Sequence, residues 1–505
     1  MYDQDAVRDF YLSRHFIPAW STDGKPGNAA HDLVRTIRES GEEGLIPDHY
    51  HRTSIETLMN VMGDDPSVEQ SASLDLLLTD AFLVLGSHFL NGRINPATID
   101  PEWQTRRREG DLLQSLRRAL ADNNVIGELQ ALLPHNPIYA GLRQGLVRYR
   151  EIAAKGPWPK VPEGAKLEEG DTSQRVVFLR QRLAAENDLV LPAGQENFFD
   201  KQLAEAVRRF QARHGLDTDA VVGRNTLAAL NVPVTERVRQ IELNLERWRW
   251  LPQDLGQRYI IVNIAAFELT LMESNKPVLP MRVVVGRPYR RTPVFSGVIN
   301  SLVLNPTWEV PTSIAAKDLL PKIKKDSHFL ASNNYRLFSG WNSGAREVDP
   351  SSVNWGKVRE GTFPFRLRQD PGPHNALGRV KFLFPNPHDV YLHDTPSRSL
   401  FNKDMRTFSS GCIRLEKPLD LAIQLLRGTP LADREFLDEA LATGRTQTIR
   451  LIEKVQLHLL YWTAWADDVD TVHFRNDIYG RDLLLWQAMQ QPPPRLVKQA
   501  AAEKE

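Results

Sequence analysis

The stretch YLHDTPSRSLFNKDMRTFSSGCIRLEKPLDLA, Tyr391–Ala422, holds Cys412, the one cysteine in 505 residues. It opens on a strand pattern. In DVYLHD, alternation sends Val390 and Leu392 to one face and Tyr391 and His393 to the other. The apolar pair belongs inside, so Tyr391 and His393 point together to the remaining side. His393 ends the strand 19 residues before Cys412, and Gly411 permits the turn that exposes a sulfur. A thiol of pKa about 8.5 is a weak nucleophile until a base or a positive charge raises its thiolate fraction. A histidine on an adjoining strand end supplies the base, and Arg414 adds a charge two residues away. Backbone N–H groups at Gly411 and Cys412 are candidate oxyanion donors. A lone cysteine in apolar surroundings is usually structural, and His and Cys in one chain are common. Ser, Ser, Gly and Arg are unusual neighbours for a core cysteine, which favours chemistry without deciding it.

Around this stretch the chain reads as β-rich. YIIVNIAAFELTLME, MRVVVG, RVKFLF and VQLHLLYWTAW are short, β-branched or aromatic runs separated by Asn, Gly and Pro turns. The pattern breaks between Trp308 and about Asn375, where SIAAKDLLPKIKKDSHFL reads as helix and the rest as polar segment. Residues 310–381 carry 12 Lys/Arg against 6 Asp/Glu. An insertion of that size and charge in a β domain is more often functional than a passive loop.

Upstream, residues 1–165 read as helical. Leu74, Leu77, Leu78, Phe82, Leu85 and Phe89 recur at helical spacing, the mark of a scaffold core. His88 on that helix is expected to be a satisfied or boundary residue, and the histidines of PDHYH (47–51) to lie in a solvated loop. KGPWPKVPEGAKLEEGD, residues 155–171, reads as a linker. Residues 172–234 follow as three short helices, with Asp200 as an N-cap and Gly215 past a helix end. Their LRQRLAAENDL, AVRRFQ and DAVVGRNTL segments resemble a peptidoglycan-binding module. ERVRQIELNLERWRWLP (236–252) is a connecting helix, and the tail 491–505 is expected to be disordered.

Length calls for several domains. Lys+Arg and Asp+Glu are both 63, which disfavours nucleic acid or an anionic membrane as the main partner. No run of about 18 apolar residues marks a membrane span. The N-terminal MYDQDAVRDF lacks the apolar region of a signal peptide, as in a cytosolic protein or one whose export signal lies outside this sequence. One cysteine excludes an internal disulfide and a cysteine-rich zinc cluster.

YLHDTP followed by SSGCIRL resembles the signature of the YkuD-type L,D-transpeptidases, a histidine followed by Ser-X-Gly-Cys-X-Arg. GRPYRRTPVF, NPTWEVP, GPHNALGRVKF and YWTAWAD…VHFRNDIYGRD extend the likeness over about residues 259–480. The whole chain is similar to the large YcbB-type periplasmic members. Many smaller members carry His where this chain has Ser410, so the base role falls on His393 alone. The resemblance implies a multidomain α+β fold. It comprises a helical scaffold (1–165), a peptidoglycan-binding module (172–234) and a mainly β catalytic domain (236–490) with a partly helical lid insertion at about 309–376. It implies Cys412 as nucleophile and His393 as general base and acid, with Tyr391, Arg414, Ser410 and Trp308 lining the substrate site. The implied substrates are peptidoglycan stem peptides: a donor tetrapeptide that loses D-Ala, and an acceptor diamino acid amine that forms a 3→3 crosslink. Carbapenems would be covalent inhibitors, no metal or cofactor is implied, and the location would be the periplasm of a Gram-negative bacterium. An L,D-carboxypeptidase and a non-catalytic wall scaffold remain as alternatives.

Overall fold

The computed structural model describes residues 4–22, 24–63, 66–104, 108–190, 196–467 and 471–493. They form two units, one of residues 1–254 with 462 onward, the other of residues 255–461.

The first unit is helical around Val68–Asn91. Ser67 and Gln70 close a reciprocal cap at its start, satisfying two backbone donors. Leu74, Leu78, Phe82, Leu85 and Phe89 are buried as expected, but so are Leu83 and Val84, so the helix is enclosed rather than one-faced. By length and composition it could cross a membrane, yet most of it is buried inside the protein. Its buried acids fix it as a core helix. Asp75 accepts from the backbone of Ala19 (2.8 Å) and Trp20 (2.8 Å), and Asp80 pairs with His51 at 2.6 Å. His51 therefore braces the scaffold rather than sitting in a solvated loop, and His88 Nδ1 is bonded to the Tyr50 hydroxyl at 2.9 Å.

The three-helix module comprises Gln174–Ala184, Lys201–Arg213 and Arg224–Leu230. Asp200 caps the second helix by accepting from Leu203 N at 2.8 Å, and Gly215 turns the chain at φ +66°. The expected linker is packed instead. Val161 and Leu167 enter the module's core, and Trp158 lies under the Arg182 guanidinium at 3.5 Å. Three apolar residues among the prolines outweigh the linker-like composition. The boundary at the other end also differs from the sequence reading. The helix Val234–Arg249 and residues from Trp462 group with the first unit: Trp248 stacks on Trp462 at 4.5 Å, and Arg247 pairs with Asp482 at 2.6 Å. The expected tail lies outside the described residues beyond 493.

The second unit is a closed circuit of strands. In chain order these are β1 (Arg258–Asn263), β2 (Glu268–Glu273), β3 (Lys276–Gly286) and β4 (Val294–Leu304). The insertion contributes β5 (Trp308–Val310), β6 (Tyr335–Phe338), β7 (Glu347–Val348) and β8 (Arg366–Gln369). Then follow β9 (Val380–Leu383), β10 (Leu392–His393), β11 (Thr407–Ser409), β12 (Ile413–Leu415) and β13 (Gln447–Leu460). The circuit runs β9-β10-β12-β3-β2-β1-β13-β4 and returns to β9 through pairing of Val380 with Leu304. Closure leaves no unpaired edge among these strands. The apolar run YIIVN is buried throughout, as a central strand requires.

The insertion folds on itself. Its helical stretch, Thr312–Lys325 with one widened turn, packs on the antiparallel sheet β7-β6-β8-β5. Trp308, Leu319, Leu320, Ile323, Leu337, Phe363, Leu367 and Leu377 form its core, with Tyr391 packed against it. Much of the segment expected to be polar coil is sheet, because Leu337 and Leu367 alternate with Arg336, Arg366 and Arg368.

Candidate functional site

The strand register assembles the site. On β10, His393 pairs with Lys381 of β9 on one side and with Arg414 of β12 on the other. Residues in register share a face, so Lys381, His393 and Arg414 form one row across three strands. Tyr391 and Cys412 each lie two residues earlier and extend that face by a second row. Val390, Leu392, Val380 and Phe382 fill the opposite, buried side. The Tyr391 and His393 rings meet edge to face at 5.6 Å. The expected pairing of these two side chains is present, although His393 is only 4% exposed.

His393 Nδ1 lies 2.5 Å from the Asp394 carbonyl. A carbonyl only accepts, so Nδ1 carries the proton and Nε2 keeps the lone pair. Burial, followed by the Arg414 charge, depresses the imidazole pKa to about 3. It is a neutral base in a fixed tautomer. The carbonyl is anchored in turn: Asp394 N donates to Val380 O at 2.9 Å, and Asp394 Oδ2 accepts from Arg379 N at 2.9 Å. Gly378, at φ +62°, leaves the space this carboxylate occupies.

The Cys412 sulfur is 3.9 Å from the Asp389 carbonyl, a thiol donor contact. Burial pushes its pKa up; the Tyr391 N–H, the Lys381 charge, the Tyr391 hydroxyl and the Arg414 charge all pull it down. Burial prevails, so the resting pair is thiol and neutral imidazole. Burial pushes the Tyr391 hydroxyl pKa up, and neighbouring Trp308 opposes that rise.

Four contacts hold the loop around Cys412. Ser409 Oγ donates to Cys412 O at 2.5 Å, Gly411 N–H donates to Ser409 Oγ at 3.1 Å, Thr292 Oγ1 donates to Gly411 O at 2.9 Å, and Arg290 Nη1 donates to Ser410 Oγ at 2.9 Å. One expectation changes as a result. The Gly411 N–H is committed to Ser409, so it is not a free oxyanion donor; among the described residues Cys412 N–H has no acceptor and remains available. Ser410 Oγ accepts from Arg290, itself paired with Asp318, which ties this hydroxyl to the loop. Trp308 is buried in the insertion's core, against which Tyr391 packs.

Arg414 Nε is buried without a hydrogen-bond partner, and the charge of Arg287 bears on the same guanidinium. Among the described residues neither arginine has an ion pair with a carboxylate, which suits an anionic ligand. Sequence reasoning missed Lys381 and Arg287. For Lys381 a signal was present, a lysine alternating with Val380 and Phe382 in RVKFLF.

Comparison with known proteins gives three matching families. Residues 5–146 match "Scaffold domain", residues 172–230 match "Putative peptidoglycan binding domain", and residues 257–432 match "L,D-transpeptidase catalytic domain". A Haemophilus influenzae protein named "Putative L,D-transpeptidase" is 36% identical over 477 residues, 94% of this chain and 77% of that protein. Among solved structures, an L,D-transpeptidase from Xylanimonas cellulosilytica aligns at 14% identity over 59% of this chain and 99% of that one, with a TM-score of 0.19. Another from Stackebrandtia nassauensis aligns at 13% identity over 60% and 96%, with a TM-score of 0.23.

Proposed function

The chain belongs to the L,D-transpeptidase family, and we propose that it forms 3→3 peptidoglycan crosslinks through an acyl-enzyme on Cys412. The observation that carries this reading is the shared face of Tyr391, His393 and Cys412, with the imidazole held as a base by the Asp394 carbonyl. His393 Nε2 takes the thiol proton as the sulfur attacks the carbonyl that joins the diamino acid at stem position three to D-Ala. The developing oxyanion is met by Cys412 N–H. The C–N bond breaks, His393 returns its proton to the departing D-Ala amine, and a thioester remains. The side-chain amine of a second stem then attacks the thioester, His393 accepts its proton, and the thiol is restored.

Arg414, with Arg287 beside it, binds a stem carboxylate; Tyr391 lines the donor pocket and aligns the sulfur. The insertion, with exposed Lys322, Lys324 and Lys325 on its helical stretch, acts as a lid for the anionic polymer. Such a substrate puts the enzyme in the periplasm of a Gram-negative bacterium, and carbapenems acylate the same sulfur. The test is incubation of the purified protein with a disaccharide tetrapeptide, followed by mass spectrometry of product and protein. A crosslinked dimer short of one D-Ala, absent with Cys412→Ala, is expected. Tripeptide alone would make the enzyme a carboxypeptidase, and no product at all would make it a scaffold.

A further inference from the structure

We propose that Lys381 is a positioning residue for Cys412: its ammonium, held on the face of Tyr391, stabilises the thiolate and keeps the neighbouring imidazole from retaining a proton. The inference rests on Cys412 being the nucleophile. Register is the first support, since Lys381 lies directly across from His393 while its strand neighbours Val380 and Phe382 are fully buried on the other side. Position is the second. Nζ is 3.8 Å from the centroid of the Tyr391 ring, the residue whose N–H and hydroxyl both serve the sulfur. The ring face attracts the cation and fixes where it sits. Charge is the third. Among the described residues no carboxylate forms an ion pair with Lys381, although the Asp389 charge bears on it, so most of its field is left for the sulfur.

The groups facing the sulfur come from every packed element. Asp389 and Tyr391 lead into β10, His393 ends it, Lys381 comes from β9, and Arg414 from β12, with Arg287 behind it. Of the two cations bearing on the sulfur, Lys381 acts more strongly than Arg414. The mutual effect is visible from the other side, where burial lowers the ammonium pKa and the Cys412 charge opposes that fall.

When the S–H bond breaks, the proton passes to His393 Nε2 and the electron pair stays on sulfur. Lys381 favours the negative sulfur and disfavours the positive imidazolium beside it. The imidazolium is thereby made a stronger acid at the moment the departing amine needs a proton. A neutral side chain in place of Lys381 would raise the thiol pKa and weaken that proton return together.

Because Cys412 is the sole thiol, iodoacetamide alkylation of the full chain, read by intact mass across pH 6–11, reports its ionisation alone. Lys381→Met is expected to move the alkylation midpoint up by about one pH unit, the low end of the effect of an adjacent opposite charge. Below the midpoint the rate then falls about tenfold. Lys381→Arg should keep the midpoint within about 0.3 unit, a small fraction of the shift that loss of the charge causes. With the donor tetrapeptide, Lys381→Met should lower kcat and leave KM within about twofold, as for an interaction made only in the transition state. Lys381→Gln repeats the measurement if the Met variant fails to fold, and thermal melting identifies the folded variants. An unshifted midpoint in a folded, uncharged variant overturns the proposal. So does an unshifted midpoint with a raised KM, which would make Lys381 a substrate contact. Crosslinking that survives Cys412→Ala overturns the nucleophile reading itself, whereas a crosslinking wild type with an unshifted Met variant overturns the Lys381 role alone.

Discussion

His393 should make the catalytic unit acid-sensitive well above its own pKa. The imidazole is 4% exposed, donates from Nδ1 to the Asp394 carbonyl, and lies between Lys381 and Arg414. Burial and then those charges bring its pKa from 6.5 down to about 3. In the unfolded chain the ring titrates at its ordinary value. Between those two values the unfolded state binds a proton that the native state refuses, so stability falls as pH falls from about 6.5 to about 3. Each pH unit in that window is worth about 1.4 kcal/mol, giving roughly 2 kcal/mol at pH 5 and about 5 kcal/mol at the acid limit. His393→Gln removes the titrating group. On going from pH 7.5 to 5, the wild type should lose about 2 kcal/mol more unfolding free energy than the variant, measured by urea denaturation. His458, also buried in this unit with a lowered pKa, titrates in both proteins and cancels in the comparison. Histidine NMR supplies the direct reading, with the His393 ring still neutral at pH 5. A ring titrating between pH 6 and 7 in the folded protein, or equal acid losses in the two proteins, would refute the argument. The resting site would then hold an imidazolium, and general-base activation by a neutral ring would have to be abandoned.

Cys412→Ala should abolish crosslinking and any carbapenem adduct while shifting the melting temperature by only a few degrees, checked by product chromatography and intact mass. Arg414→Lys should lower kcat/KM at least about tenfold, because a point charge cannot replace a planar fork; full activity would reduce Arg414 to a solvated charge. Gly378→Ala puts a Cβ 2.4 Å from Asp394 Oδ2 at φ +62°. About 2 kcal/mol of stability should be lost, and crosslinking should fall in molecules that remain folded, since the Asp394 carbonyl that orients His393 is displaced. Trp308→Phe keeps an aromatic ring but loses the indole N–H that bears on the Tyr391 hydroxyl, at a cost of about 1 kcal/mol. Cys412 alkylation should change by severalfold with the circular dichroism spectrum unaltered.

The shared face of Tyr391 and His393 was legible because it depends on local period. Two-residue alternation in DVYLHD fixes which side chains share a face, and the Gly411–Cys412 step marks a turn whatever lies beyond it. The rest depends on pairing between distant segments. RVKFLF indicates that Lys381 leaves the core, but only the register of β9 on β10 brings it opposite His393. The Gly411 N–H was an open donor in the sequence and is a used one in the fold, because Ser409 Oγ turns back on its own loop. The end of the catalytic unit was misjudged for the same reason. VQLHLLYWTAW reads as one strand, but the chain leaves the unit after Tyr461, and Trp462 stacks on Trp248, more than two hundred residues earlier. Composition was the weakest guide: Trp158, Val161 and Leu167 turn a Pro- and Gly-rich linker into part of a module's core.

The insertion carries this lesson into the chemistry. Its polar composition suggests a mobile cover, yet Trp308 near its start and Leu377 near its end lie in one hydrophobic core with Phe363 and Leu367. Both ends are thus packed into the same base, and any displacement of the helical stretch works against that packing rather than against a loop. Tyr391 rests on this base, and its N–H and hydroxyl both lower the Cys412 pKa. Trp308 lowers the pKa of the Tyr391 hydroxyl, and that hydroxyl in turn lowers the pKa of the thiol. A donor to a phenol oxygen strengthens that phenol's own O–H as a donor, so Trp308 contributes to the thiolate from a distance. Movement of the base would therefore alter the thiol's ionisation before it altered access to it. The rate of alkylation by a reagent as small as iodoacetamide separates the two effects, because it passes any partly closed cover but still requires the thiolate.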